Sequence, residues 1–153
     1  MRACADAVDI VLVGECNADL LTNVADDVFD NKVDPELTAQ YVRDPRNLLV
    51  VAVHRTQVVG MASGLLYLHP DKPLQLFLNE VGVSERYHRL GIGKRLIARL
   101  LQGAEAQGCS EAWVATEADN TAARALYQAS AGKEEPDRPC VYTWTLGALR
   151  SGR

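Results

Sequence analysis

The sequence predicts an α/β (α+β) domain built on one mixed sheet. Three observations carry this: β-type runs and helical stripes alternate in the second half, the middle is a β meander, and one strand runs through a glycine-bearing basic loop into the best helix of the chain. At 153 residues, 48% apolar and 24% charged, the chain has the size and composition of one globular domain, expected over residues 1–153.

Val8 to Val13 is a short β-type run. Asn17 is placed to N-cap a helix over Ala18 to Phe29, and Asp34-Pro35-Glu36 opens a second, with Asp34 as cap and Pro35 at the first helical position. Leu48 to His54 and Gln57 to Tyr67 are β-rich and separated by Arg55-Thr56, a hairpin signal. Leu74 to Val83 is a third strand, long enough to hold a bulge. Ile92, Leu96, Ile97, Leu100, Leu101 and Ala104 form a helical stripe over Ile92 to Gln107, closed by Gly108. Ala112 to Thr116 is a strand, Asn120 to Ser130 a helix, and Cys140 to Leu146 alternates like a final strand.

Met1 to Ala7 has no apolar signal core, and no run approaches the roughly 18 apolar residues of a membrane span, so a cytoplasmic protein without a membrane partner is expected. Cys4, Cys16, Cys109 and Cys140 are scattered, and His54, His69 and His88 lack ligand spacing, so neither a metal site nor a disulfide framework is expected. Cys109 and Cys140 read as small buried hydrophobes. The net charge of -4 hides an asymmetry: Arg86, Arg89, Lys94, Arg95 and Arg99 cluster in one stretch, while Asp26, Asp27, Asp30, Asp34 and Glu36 crowd another against Lys32 alone. An anionic ligand in one place and a cationic one in another would suit this pattern, as would two solvated faces. No basic patch is interleaved with aromatics, so no nucleic-acid partner is expected.

The most informative segment runs from Glu80 to Arg95. Gly91 and Gly93 free the backbone to gather its N–H groups, and the helix behind them adds unpaired donors and the positive end of its dipole, a combination that binds a diphosphate. A P-loop is excluded because Gly93-Lys94 is followed by Arg95, and a Rossmann loop because Leu96 stands where its third glycine belongs.

This segment closely resembles motif A of the GNAT superfamily of N-acetyltransferases, Gln/Arg-x-x-Gly-x-Gly/Ala. The pattern falls on His88-Arg89-Leu90-Gly91-Ile92-Gly93, with His88 in place of the usual Gln or Arg. Downstream, the run from Asn120 to Tyr127 resembles motif B, Asn-x-x-Ala-x-x-Leu-Tyr, and its first and last residues lie on one helix face. The family usually has Gly four residues after the Tyr; here Ala131 and then Gly132 follow, so the helix is expected to end one residue late. The resemblance spans residues 5–146. It implies a central mixed, mostly antiparallel β-sheet, splayed where the strand ending at Val83 meets the strand from Ala112, flanked by about four helices, with acetyl-CoA in the gap.

By resemblance, the pantetheine arm pairs with the backbone of Val81 and Val83, and the diphosphate lies on His88, Arg89, Leu90, Gly91, Ile92, Gly93 and Lys94. Asn120 and Tyr127 serve the same ligand, and Arg89, Lys94 and Arg95 are candidates for the phosphates. An amine of pKa around 10 must lose a proton before it can attack. Glu80, a carboxylate in an otherwise apolar strand, is the expected general base, with Glu117 and Asp119 in reserve. Tyr127 is the acid for the leaving thiolate, by resemblance, and the Val81 N–H the expected oxyanion donor. Asp26, Asp27, Asp30 and Asp34 lie in the region that borders the acceptor site in this superfamily, which suits a cationic amine substrate. Within the superfamily the chain is most similar to the small aminoglycoside 3-N-acetyltransferases. Peptide, lysine and polyamine acceptors stay open, as does a non-catalytic acetyl-CoA-binding module. The superfamily's frequent homodimers make that state a candidate.

Overall fold

The computed structural model describes residues 7–137 and 139–146; Cys4 and most of the segment before Val8 lie outside them. Five strands form one sheet in chain order: β1 (Val8–Leu12), β2 (Asn47–His54), β3 (Gln57–Tyr67), β4 (Gln75–Val83) and β5 (Glu111–Trp113). The first four are antiparallel neighbours, and β5 runs parallel to β4. The helices are α1 (Pro35–Arg43), α2 (Ile92–Ala106) and α3 (Thr121–Ala129), with 3-10 turns at Glu15–Thr22 and Glu85–Tyr87.

Strand alternation divides the core in two. Val50, Ala52, Val59, Ala62, Leu76 and Leu78 pack on one face against Ile92, Leu96, Ile97 and Leu100, the apolar stripe of α2. Leu49, Val51, Val58 and Met61 face the other way, onto Leu21, Val28 and the segment leading to α1. The ladder shifts register between Ser63 and Gly64, opposite Glu80 and Leu78, leaving Asn79 as the extra residue of the bulge expected in this strand.

Asp34 caps α1 as expected, its carboxylate accepting the N–H groups of Glu36 and Leu37. Three expectations are corrected. The helix over Ala18 to Phe29 is instead a 3-10 segment ending at Thr22. Asn17 does not cap it from outside but sits inside at φ -137°, with its side chain bonded to Gly14 N–H and the Leu12 carbonyl. The chain beyond turns extended because Asn23 and Ala25 exchange backbone bonds with Val58, and a helix could not supply those partners. Second, Cys140 to Leu146 forms no strand. Val141, Tyr142, Trp144 and Leu146 stand exposed, and Cys140 is exposed rather than buried. β5, an edge of the sheet, is only three residues long and stops at Trp113, short of the expected Thr116, so it offers little ladder for a further strand.

The third concerns the end of α3. Ala131 itself takes the left-handed cap position at φ 65°, donating to the Gln128 carbonyl while Gly132 donates to that of Tyr127. This is a Schellman cap with Ala where Gly is preferred, and the helix does not run a residue late.

Candidate functional site

β4 and β5 pair only over Gln75–Phe77 and Glu111–Trp113. From Leu78 to Val83 that edge of β4 has no strand beside it among the described residues, and this is the splay. Backbone direction along the open edge follows from one bond: Ser84 N–H donates to the Val59 carbonyl at 2.9 Å, so Ser84 faces β3. By alternation the peptide groups of Val83 and Val81 point away from β3, into the gap.

The loop leaving β4 is built to present amides. Gly91 adopts φ 75°, which a side chain would strain, and caps α2. The first helical bond of α2 is donated by Arg95 to Gly91, so the N–H groups of Ile92, Gly93 and Lys94 lie ahead of the ladder. Ile92 is buried and Leu90 packs on the same core, so these two offer the loop their backbones only. Arg89 and Lys94 are exposed. Arg95 donates from Nη2 to the Val8 carbonyl, which draws it toward β1. His88 folds back to donate from Nε2 to the Val83 carbonyl at 2.7 Å. Tyr87 Oη meets His54 Nδ1 at 2.7 Å, fastening the loop to the end of β2. Among the described residues, this array of amides at a helix N-terminus beside an open strand edge fits a diphosphate carried on an extended arm.

Glu80 lies opposite Ser63 in the β3–β4 register, on the face away from α2. Burial, and after it the charge of Asp30, push its carboxyl above the usual carboxylate range. The chain that brings Asp30 there crosses over Gly82, where a Cβ would come within 2.5 Å of the Val28 carbonyl oxygen. Only glycine admits that crossing.

The other acidic candidates separate. Asp27 Oδ2 accepts the Glu85 N–H at 2.8 Å, a bond that holds its carboxyl below the ordinary range. Asp27 thus braces the loop after β4, and Asp34 is spent on the α1 cap. Asp26 is exposed. Of the four, Asp30 is the one whose charge acts on Glu80.

On the α2 side of the sheet, a cavity of about 100 Å³ is lined by Leu78, Ile97, Leu101, Trp113, Val114 and Tyr127 among others. Burial first, then the charge of Glu117, raise the phenol of Tyr127, so it keeps its proton at neutral pH. Asn120, its expected partner on the same face, uses Oδ1 to accept Ala123 N–H and cap α3. Cys109 is half-buried with its thiol pushed up by burial, as suits a packing residue.

On the opposite side, a cavity of about 270 Å³ is lined by Tyr41, Ser63, Leu65, Phe77 and Asn79 among others, and it adjoins Glu80 through Ser63 and Asn79. Sequence reasoning singled out none of these residues, because their meeting depends on the strand register.

Comparison with known proteins agrees with this geometry. The profile described as the acetyltransferase (GNAT) family matches residues 18–132. N-acetyltransferase family 8 member 3 of Mus musculus is 35% identical over 96 residues, covering 61% of this chain and 42% of its own length. N-acetyltransferase 8 of Homo sapiens is 34% identical over 102 residues, with coverages of 65% and 44%. The chain thus spans less than half the length of these curated relatives. An aminoglycoside acetyltransferase from an uncultured soil metagenomic sample, in complex with trehalose, superposes with TM-score 0.77 at 17% identity, covering 92% of this chain and 97% of its own. The aminoglycoside N-acetyltransferase AAC(6')-Iy in complex with CoA gives 0.74 at 19%, with coverages of 90% and 94%. The open β4 edge, the amide-bearing loop and the profile match agree: the chain belongs to the acetyltransferase (GNAT) family.

Proposed function

We propose that the chain transfers the acetyl group of acetyl-CoA directly to a primary amine. The observation that carries this is the position of Glu80, a carboxylate with a raised pKa within the open stretch of β4. The amine nitrogen gives a proton to Glu80 and attacks the thioester carbonyl, and the oxyanion is met by the Val81 N–H, which faces the gap. As the tetrahedral intermediate collapses, the C–S bond breaks, Tyr127 passes its proton to the departing thiolate, and the tyrosinate recovers one from the attacking nitrogen, which leaves as the neutral amide. Val81 and Val83 would hold the pantetheine arm, and the amides from His88 to Lys94 the diphosphate.

A cationic acceptor is supported by the charges of Glu80 and Asp30. An aminoglycoside, acetylated at its 3-amino group, is the reading that the acidic segment favours through the exposed Asp26 and Asp30. The test is free thiol released from acetyl-CoA across aminoglycosides, polyamines, peptides and simple amines, with mass spectrometry to locate the acetyl group. Release with none of them would leave a coenzyme-binding module without turnover.

A further inference from the structure

Next to Glu80, the face of the sheet away from α2 is aromatic. Leu65 pairs with Phe77, Phe77 with Trp113, and Tyr67 with Gln75, so all of these side chains share that face. The Phe77 and Trp113 rings lie 4.6 Å apart, and Tyr67 stands edge-on to Trp113 at 6.5 Å. Val28, Leu21 and their neighbours cover the part of this face around Met61 and Val51. Leu65 and Trp113 lie beyond that cover, 40% and 46% exposed.

The shelf is held in place. Trp113 Nε1 donates to Tyr67 Oη, Tyr67 donates to Gln75 Oε1 at 2.6 Å, and Gln75 Nε2 donates to Glu111 Oε1 at 3.0 Å. This chain of bonds fixes the indole while leaving much of its surface to solvent. A fixed, exposed aromatic face loses little side-chain freedom when a ligand stacks on it.

The cavity between the shelf and Glu80 has the same character. Tyr41 donates its hydroxyl to the Leu48 carbonyl at 2.9 Å, and burial pushes its pKa to about 12, so it offers the cavity its ring. Asn47 donates to the Tyr41 carbonyl. Among the described residues no carboxylate lines the cavity. Negative charge thus sits at the Glu80–Asp30 end, and apolar surface extends from there through Leu65 and Phe77 to Trp113.

We infer that the preferred acceptor is a mono-cationic amine carrying an aromatic group, its ammonium at Glu80 and its ring on the Phe77–Trp113 shelf. This rests on the acetyl-transfer reading above and sets an aromatic acceptor against the aminoglycoside that the acidic segment favours. A multi-amine sugar or a polyamine would place further ammonium groups over the cavity, whose lining holds no carboxylate among the described residues.

The test compares kcat/KM, by thiol release, for phenethylamine and tryptamine against butylamine, spermidine and an aminoglycoside, in the wild type and in Trp113→Ala and Trp113→Phe. The expected result is a preference for the aromatic amines that falls about tenfold in Trp113→Ala, returns in Trp113→Phe, and leaves butylamine within about twofold. Preference for spermidine or the aminoglycoside, or an equal loss for all amines in Trp113→Ala, overturns the inference while leaving acetyl transfer standing. Should no amine release thiol, acetyl transfer fails, and the shelf is then tested by indole fluorescence. Saturable quenching by phenethylamine, absent in Trp113→Ala with unchanged circular dichroism, supports the shelf, and no quenching in the wild type overturns it.

Discussion

The imidazole of His88 donates to the main-chain carbonyl of Val83 across 2.7 Å. The bond spans the 3-10 turn at Glu85–Tyr87 and ties the start of the amide-bearing loop to the strand whose edge lines the gap. A side chain that breaks the usual pattern of motif A thus gains a definite task, which is to set the loop against β4. Replacement by Ala should raise the KM for acetyl-CoA about three- to tenfold with kcat nearly unchanged, the range for one lost hydrogen bond. Replacement by Gln, which keeps a donor, should remain within about twofold of wild type. Steady-state kinetics on both variants checks this.

Asp27 acts on the same loop from the other side through the Glu85 N–H. Asp27→Ala should therefore raise the KM for acetyl-CoA and leave the KM for the amine alone. The reverse split would mean that Asp27 binds the acceptor. Because this bond lowers the carboxyl pKa, its contribution is present above the ordinary aspartate range and is lost as pH falls through the depressed value.

Glu80 titrates above the ordinary range because of burial and Asp30. As a base it works only when ionised, so kcat should climb with pH through an acid limb lying above the usual glutamate value. Asp30→Asn removes a repelling charge and should move that limb to lower pH. Glu80→Gln should lower kcat about 10²–10⁴-fold. Tyr127→Phe should lower kcat with little change in coenzyme KM. The pH–rate profiles of the four proteins check all of this.

Two single-residue changes probe the backbone. Gly82→Ala places a Cβ against the Val28 carbonyl and should destabilise the protein by about 1–3 kcal/mol. Ala131→Gly relieves the left-handed cap at φ 65° and should stabilise it by about 0.5–1 kcal/mol. Chemical denaturation measures both.

Local chemistry was the readable part of this chain. The stripe from Ile92 to Ala104, the Asp34-Pro35 cap and the glycine before α2 depend on neighbours in sequence, and each stands where its pattern places it. The segment from Ala18 to Phe29 has a helical pattern but does not form that helix, because Asn23 and Ala25 pair with Val58, a partner more than thirty residues away. The acidic window showed the same limit: five carboxylates looked alike, and only the crossing of Val28 over Gly82 separates Asp30 at Glu80 from Asp27 at the loop. The aromatic shelf was hidden for the same reason, since Tyr67, Phe77 and Trp113 meet through the register of three strands.

Calorimetric titration of CoA, with competition by adenosine 3′,5′-bisphosphate and by pantetheine, tests most directly whether this loop and strand edge hold an acyl carrier. The account predicts one saturable site per chain, weakened in His88→Ala and bound far less tightly by either fragment than by the intact coenzyme. No heat of binding from CoA, or affinity that ignores the loop variant, would contradict it.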